Sequence, residues 1–294
     1  MNQRLENGRG FYEASHIRQG EIGRSVHCAD IGYACPMTES SKQHAKKSLG
    51  QHFLRDHNAI RSIVSAIPEG VTAIEIGPGP GAITESLLAR AIKLTVIEMD
   101  DRFASHWQDV AKSNPELSVI HGDVMKVLEA AVASVQPEWI AGNLPYNLSG
   151  PLTAKLAGFN LSGGMVLMYQ REVAERIASG PGSKVYGGLS VLVRHYYDVK
   201  RLLTLPPGAF VPPPKVHSAV ILMTPHGKTP ACSYEALQKT VRQGFAHRRK
   251  TINNNFRGEL SAEEFEAIEI DPRKRPEQLD YDAWVRITLA LSKD

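Results

Sequence analysis

An apolar run from Val71 to Ile76 passes directly into Gly77-Pro78-Gly79-Pro80-Gly81-Ala82, and Ile83, Leu87 and Leu88 follow at helical spacing. Few local patterns limit a fold more tightly. A buried strand that turns on glycines into a helix opens a βαβ crossover, and crossovers build parallel sheets with helices over their faces. A second run, Leu94 to Glu98, ends in an acid about 20 residues beyond Gly77, the spacing at which such folds hold a ribose diol. Gly77-x-Gly79-x-x-Ala82 also fits the dinucleotide fingerprint, so the glycines alone leave the cofactor open. Pro78 and Pro80 each remove an N–H donor from a loop that would otherwise cradle a pyrophosphate. That favours S-adenosylmethionine over NAD, with an NAD-dependent oxidoreductase as the rival. Asp123 follows a third apolar run, Ser118 to His121. It is placed either to hold the exocyclic amine of the cofactor's adenine or to cap the next helix.

The chemistry is read from Asn143-Leu144-Pro145-Tyr146, which follows the apolar Trp139-Ile140-Ala141 and so falls where a buried strand meets the edge of the sheet. Open α/β sheets place their ligands at that carboxyl edge. These residue types suit methylation of an exocyclic base amine, a poor nucleophile whose lone pair is delocalised into the ring. The Asn143 side-chain oxygen and the Leu144 carbonyl can each accept an amine N–H and favour the localised, pyramidal form. Pro145 holds the turn without adding a donor, and Tyr146 offers a flat face for an extruded base. Alone, the tetrapeptide is no more than a polar turn; beside the glycine turn and the acids at the strand ends it reads as an active site.

Further along, Gly150-Pro151 starts a helix and Gly164 to Tyr169 is a fifth buried strand. Ser179 to Gly188, polar and glycine-rich, is expected to be a mobile loop, either a lid or a surface connection. Strands are expected over Lys200–Leu205 and His217–Thr224. The proline-rich segment between them carries Phe210, which is either an aromatic plate beside the site or a core anchor. Upstream, Ile60, Ile63, Val64 and Ile67 share one helix face, and Gln51 and His52 precede that helix. Beyond Pro225 the text becomes helical and basic. Tyr234, Leu237, Thr240, Val241 and Phe245 form one face of a helix expected to close on His247-Arg248-Arg249-Lys250. Those cations are either a solvated face or a phosphate-binding patch. Helical pieces are also expected over 261–269 and 281–291.

A net charge of +3 is too small to bind nucleic acid by itself, so any footprint must come from such local clusters. Cys28, Cys35 and Cys232 form no metal pattern and no even disulfide set, which fits a reducing, cytoplasmic location. No apolar run approaches the roughly 18 residues of a membrane span. Residues 1–41 lack apolar periodicity, and their acids argue against a transit peptide. They are expected to be poorly ordered; Met37 reads like a natural start, and the first 36 residues are expected to be a dispensable extension. The expected division is therefore 1–41, a Rossmann-like methyltransferase domain over 42–225, and a small all-α RNA-binding domain over 226–294.

Taken together, the motifs resemble the KsgA/Dim1 family of ribosomal RNA adenine dimethyltransferases, in its bacterial branch. The carriers are Leu49-Gly-Gln-His-Phe-Leu54, Glu75-Ile-Gly-Pro-Gly-Pro-Gly81, Asn143-Leu-Pro-Tyr-Asn147, the Phe210 to Ser218 segment and His247-Arg-Arg-Lys-Thr251. The resemblance runs from about residue 46 to about residue 290 and implies an α/β class I S-adenosylmethionine-dependent fold. It also implies N6,N6-dimethylation of two adjacent adenosines near the 3′ end of 16S ribosomal RNA, within the assembling small (30S) subunit. By position it implies a cofactor site of His52, Leu54, Gly77, Glu98, Asp123 and Asn143. Asn143 and Leu144 would bind the target amine on the Pro145 turn, with Tyr146 and Phe210 stacking on the base. Arg248, Arg249 and Lys250 would bind RNA. The family usually has Asn where His52 stands and Gln where His247 stands. A monomer and no metal are expected. The rivals are an Erm-type large-subunit RNA methyltransferase, a DNA adenine methyltransferase and a non-catalytic assembly factor.

Overall fold

The computed structural model describes residues 51–90 and 92–292. The expected extension over 1–41, the start at Met37 and the basic lead-in from Lys46 lie outside the described residues.

Each apolar run becomes a strand because both of its faces are covered, as expected for strands of a parallel sheet. Phe53–Leu54 (β1), Thr72–Ile76 (β2), Lys93–Glu98 (β3), Leu117–His121 (β4), Trp139–Asn143 (β5) and Gly164–Gln170 (β6) are followed by Tyr197–Leu205 (β7), Phe210–Val211 (β8) and Ser218–Pro225 (β9). Seven of them form one sheet in the order β4-β3-β2-β5-β6-β9-β7. Strands β2 to β6 pair in parallel, and β9 runs antiparallel to both β6 and β7. The order reverses at β2, whose neighbours are β3 on one side and β5 on the other. That switch point is where a doubly wound sheet opens its ligand crevice. The short β1 pairs antiparallel with β8, Phe53 opposite Val211 and Leu54 opposite Phe210.

Strand alternation divides the interior in two. Ile74, Ile76, Ile140, Met165, Leu167 and Tyr169 point into one core; Ala73, Trp139, Ala141, Val166 and Met168 point into the other. The second core is closed by His57–Ser65 (α1), Thr84–Leu88 (α2) and Asp101–Ala111 (α3), through Ile60, Ile63, Leu87, Phe103 and Trp107. The first is closed by Val124–Val135 (α4), Ser149–Leu156 (α5), Arg171–Ala178 (α6) and Gly188–Val193 (α7). Aspartates 56, 100 and 123 each accept an N–H from the first turn of the helix they precede, which fixes where α1, α3 and α4 begin.

The C-terminal helices are Tyr234–Gly244 (α8), Ile252–Asn255 (α9), Ala262–Ala267 (α10) and Tyr281–Leu291 (α11). They share the first core through Leu237, Val241, Phe256, Phe265 and Trp284. The Tyr234 hydroxyl donates to the Ala154 carbonyl at the end of α5, and the Trp284 indole lies against Gly244. The helices after Pro225 thus pack into the same apolar cluster as the sheet.

Three local expectations change. β7 begins at Tyr197 and carries a register shift between Arg201 and Leu203, so the strand expected from Lys200 is longer and irregular. The segment expected to be a mobile loop, Ser179 to Gly188, is tied down: Gly182 N–H donates to the Glu277 carbonyl, Arg248 donates to the Lys184 carbonyl, and Tyr186 is buried. Its glycines gave it the composition of a loop, but one buried tyrosine fixes it to the C-terminal helices. Finally, α8 ends at Gly244, so His247 to Lys250 lie in the turn beyond the helix rather than closing it. Among the described residues no helix is long and apolar enough to cross a membrane.

Candidate active site

The β2 turn is held by backbone conformation and by its neighbours. Gly77, Gly79 and Gly81 all have positive φ, and Gly77 N–H continues the ladder to the Ile97 carbonyl. Gly81 is doubly required: at φ 97° a Cβ there would stand 2.5 Å from Trp107 Cζ2. Trp107, buried on α3, also donates its indole N–H to the Gly79 carbonyl at 2.9 Å. A single side chain therefore fixes the turn by contact and by hydrogen bond.

Glu98 ends β3 with a carboxylate that is 7% exposed. It accepts N–H groups from Gly79 (3.0 Å), Met99 (2.8 Å) and Asp100 (2.8 Å). Burial pushes this carboxyl above the usual range, opposed by the Asp100, Gly79 and Met99 N–H groups. Two bonds fall on Oε1 and one on Oε2, and a carboxylate has about four lone-pair sites, so Oε2 keeps capacity for one hydroxyl. Glu98 thus braces the glycine turn and still suits a ribose diol. Asp123 Oδ1 caps α4 through Met125 N–H at 2.9 Å.

The cleft at the switch point is lined by the Gln51 to Leu54 segment, Glu75, the Gly77–Ile83 turn, Glu98 and the Asn143–Leu148 edge. Sequence-distant candidates His52, Leu54, Gly77, Glu98, Asn143, Leu144, Pro145 and Tyr146 therefore meet in one place. Asn143 Nδ2 donates to the His52 carbonyl at 2.9 Å. A carbonyl only accepts, so this bond sets the amide orientation and turns Oδ1, the acceptor, the other way. Leu144 N–H is used by the Met168 carbonyl, Leu148 N–H by the Pro145 carbonyl, and the Ser149 hydroxyl by the Tyr146 carbonyl. None of these bonds uses the Leu144 carbonyl. Tyr146 is anchored by a 2.6 Å bond between its hydroxyl and Ser218 Oγ, and burial, partly offset by Ser218, raises its pKa.

His52 is wired differently from a simple cofactor ligand. Its ring stacks on Tyr146 (centroids 5.5 Å apart, planes at 26°), and Nδ1 bonds the Pro212 carbonyl at 2.8 Å. The ring thus links the proline segment to the tyrosine plate, while its backbone orients Asn143. Phe210 requires a correction. It is 1% exposed, faces the second core opposite Leu54 and does not line the cleft. Pairing of β8 with β1 turns it inward, which makes it the core anchor rather than a plate for the base.

The basic turn is divided. Arg248 is engaged with the Lys184 carbonyl at 2.6 Å and lies 4.0 Å from Glu277, whereas Arg249 and Lys250 are exposed. Sequence reasoning gave no role to Glu75 or Trp107, or to a hydrogen bond from Gln51 to Asp100 at 3.0 Å that ties the first segment to α3. A signal existed for Trp107, which stands four residues after Phe103 on one helix face; that it reaches the glycine turn is visible only in three dimensions. Among the described residues no group of three or more His, Cys, Asp or Glu could hold a metal ion.

The donor set fits a cationic nucleoside cofactor: a buried acid for hydroxyls, a turn with little N–H character, and a second acid, Glu75, whose Oε2 is buried without a partner. Solved structures agree on the fold. A dimethyladenosine transferase from Plasmodium falciparum superposes with a TM-score of 0.71 at 24% identity, covering 82% of this chain and 98% of that one. The 23S rRNA methyltransferase ErmE gives 0.61 at 20% identity, covering 82% and 100%. Among curated sequences, ribosomal RNA small subunit methyltransferase A of Xanthomonas oryzae pv. oryzae (strain PXO99A) is 43% identical over 258 residues, 85% of this chain and 98% of the relative. The protein of the same description from Marinomonas sp. (strain MWYL1) is 40% identical over 257 residues, covering 85% and 97%. A family model described as ribosomal RNA adenine dimethylase matches residues 42–293. The chain belongs to the ribosomal RNA adenine dimethylase family, as an S-adenosylmethionine-dependent methyltransferase.

Proposed function

We propose that this chain dimethylates N6 of two adjacent adenosines near the 3′ end of 16S ribosomal RNA, acting as a monomer on the assembling 30S subunit in the cytoplasm. The observation that carries the reading is the orientation of Asn143, whose Nδ2 is committed to the His52 carbonyl so that Oδ1 is presented as an acceptor beside Leu144. The description shared by the curated relatives supports the small subunit as the target.

The cofactor, when bound, supplies an electrophilic sulfonium methyl. Gly77 to Gly81, braced by Glu98 and Trp107, would hold it, with Leu54 and Asp123 assigned to its remaining contacts. Asn143 Oδ1 and the Leu144 carbonyl accept the two N–H groups of the target amine and localise its lone pair. They also stabilise positive charge as it builds on N6, an effect strongest in a cleft where water is sparse. Alignment does most of the work. Pro145 keeps the turn rigid, and Tyr146, fixed by Ser218, receives the extruded base on the face that His52 does not cover. No strong base is required, since the amine proton becomes acidic as methyl transfer proceeds. Arg249 and Lys250 bind RNA phosphates, with Arg248 contributing from its tether, and the helices over 226–294 form the RNA-binding domain beside the 42–225 methyltransferase domain.

The test is transfer of labelled methyl groups from S-adenosylmethionine to undermethylated small and large subunits, followed by nucleoside analysis. Dimethyladenosine confined to small-subunit RNA is expected. Label in the large subunit would overturn the substrate assignment, and cofactor binding without label anywhere would overturn catalysis.

A further inference from the structure

Among the described residues five large apolar side chains are exposed, and two of them, Val211 at 42% and Val216 at 44%, stand on one short proline segment. Pro212 and Pro213 between them are exposed as well. Three consecutive prolines leave that stretch without an N–H donor, so its outer surface is a ridge of hydrocarbon. The ridge is anchored to the cleft at both ends. Strand alternation that turns Phe210 into the core turns Val211 outward, and Val211 pairs with Phe53, which lines the cleft. The Pro212 carbonyl accepts from His52 Nδ1 at 2.8 Å, and that ring stacks on Tyr146. At the other end Ser218 Oγ holds the Tyr146 hydroxyl at 2.6 Å, and the His217 carbonyl accepts the Arg171 N–H at 2.9 Å. Plate and ridge are therefore joined. The cofactor assignment makes no use of this apolar surface, and apolar surface kept in water beside a site marks a contact. Segment 206–218 carries Lys215 and no acid, and Arg55, whose N–H donates to the Ala209 carbonyl, adds a second exposed cation at its base.

We infer that the 211–216 ridge is an apolar wedge that takes the place of the extruded adenosine and packs against the face of its unreacted neighbour. The inference rests on extrusion of the target base onto Tyr146, and it goes further by naming what holds the nucleotide that is not reacting. The target is one of two adjacent adenosines. Taking it out of the stack strips its neighbour of a stacking partner and opens a gap. Proteins that unstack bases fill such gaps with apolar side chains, proline among them. A hydrocarbon ridge beside the plate covers the bared base and its own exposed surface in one contact. Lys215 and Arg55 suit the phosphates on either side. A flank with cations and no acid favours nucleic acid over protein as the occupant.

The experiment mixes the full chain and S-adenosylhomocysteine with undermethylated small subunits, reconstituted with 16S RNA that carries 2-aminopurine in place of one target adenosine. The fluorescence of 2-aminopurine rises when the base leaves the stack, and wild type is expected to raise it on binding. The double variant Val211→Ser, Val216→Ser is expected to extrude the base about tenfold less readily, toward the low end of what base stacking on a side chain supplies. Its thermal unfolding and its affinity for S-adenosylhomocysteine should match wild type. Replacing the neighbouring adenosine by an abasic nucleotide removes the partner of the ridge, so wild type and variant should then respond alike. A difference that persists on the abasic RNA would mean a merely structural role and overturn the inference. Should the double variant fail to fold, Val216→Ser, which lies outside every strand and helix, carries the test alone. Equal extrusion by wild type and variant overturns the inference while leaving the Tyr146 plate and the cofactor site intact. Weaker binding of particles with an unchanged response once bound also overturns it, since the ridge would then dock another part of the subunit, RNA or protein. No fluorescence rise with wild type at saturation would overturn the extrusion on which the inference rests.

Discussion

The two walls of the cleft are built on opposite plans. On the β2–β3 side, Glu98 is engaged by three backbone N–H groups, Trp107 is bonded to Gly79, and Gly81 rests on the indole. On the β5 side, the donors of Asn143 and Leu144 are committed: Asn143 Nδ2 goes to His52 and Leu144 N–H to Met168, while Asn143 Oδ1 and the Leu144 carbonyl take no part in those bonds. The first wall is braced before any ligand arrives and serves as a rigid seat. The second keeps acceptors in hand for a substrate that brings its own donors. Binding surface and reactive surface are distinguished here by how their hydrogen-bonding capacity is spent.

Breaking the braced wall should cost the most. Trp107→Ala is expected to lower stability by about 3–5 kcal/mol, the usual cost of emptying a large aromatic site, and to abolish cofactor binding with it. Denaturant unfolding and calorimetry check both, and a variant that binds normally would show that the turn holds itself. A second stress on that wall comes from pH. Burial pushes Glu75 from the ordinary 4.5 up to about 8 when folded, so the folded state keeps a proton that the unfolded state gives up between those values. The sign is that of a raised acid: its contribution to stability is full below about 4.5 and falls, by about a factor of ten in the folding constant per pH unit, until about 8. Wild type minus Glu75→Gln, followed by urea unfolding across that range, isolates the effect; parallel curves would contradict it.

The reactive wall should respond more mildly and more selectively. Tyr146→Ala removes the stacking plate and is expected to weaken RNA substrate binding by about 1–3 kcal/mol while leaving cofactor affinity unchanged; Tyr146→Phe, which loses only the Ser218 bond, should do less. Smaller still is the basic turn. Arg249→Ala and Lys250→Ala should each reduce the salt dependence of RNA binding by about one phosphate contact, whereas Arg248→Ala should act chiefly by loosening the Lys184 loop. Equal salt slopes for all three would contradict that division.

The fold was legible because parallel strands covered on both faces leave long apolar runs, and because glycines at positive φ cannot be replaced cheaply. β2, β3, β4, β5 and β6 all lie where those runs predict. The ends of β7 were not legible, since its register shift follows from pairing with β9 and leaves no local mark. In the site, Asn143 and Tyr146 were visible as types at a strand end, but the bond that orients Asn143 comes from a residue 91 positions away. Phe210 was ambiguous because an aromatic after prolines reads alike as plate and as anchor; only the pairing of β8 with β1 turns it inward. Glu75 sat in plain sight inside the glycine motif. An acid at the end of a buried run looks like ordinary punctuation until its lack of a partner is known.

The most direct test of the contrast between the two walls is single-turnover methyl transfer by Asn143→Ala, measured beside its affinity for S-adenosylmethionine. Loss of a preorganised hydrogen-bonding group at a developing charge should slow transfer by about 10²–10³-fold, with cofactor affinity largely retained. Turnover equal to wild type would contradict the role assigned to the β5 edge, and loss of cofactor binding in step with turnover would show that Asn143 belongs to the seat instead.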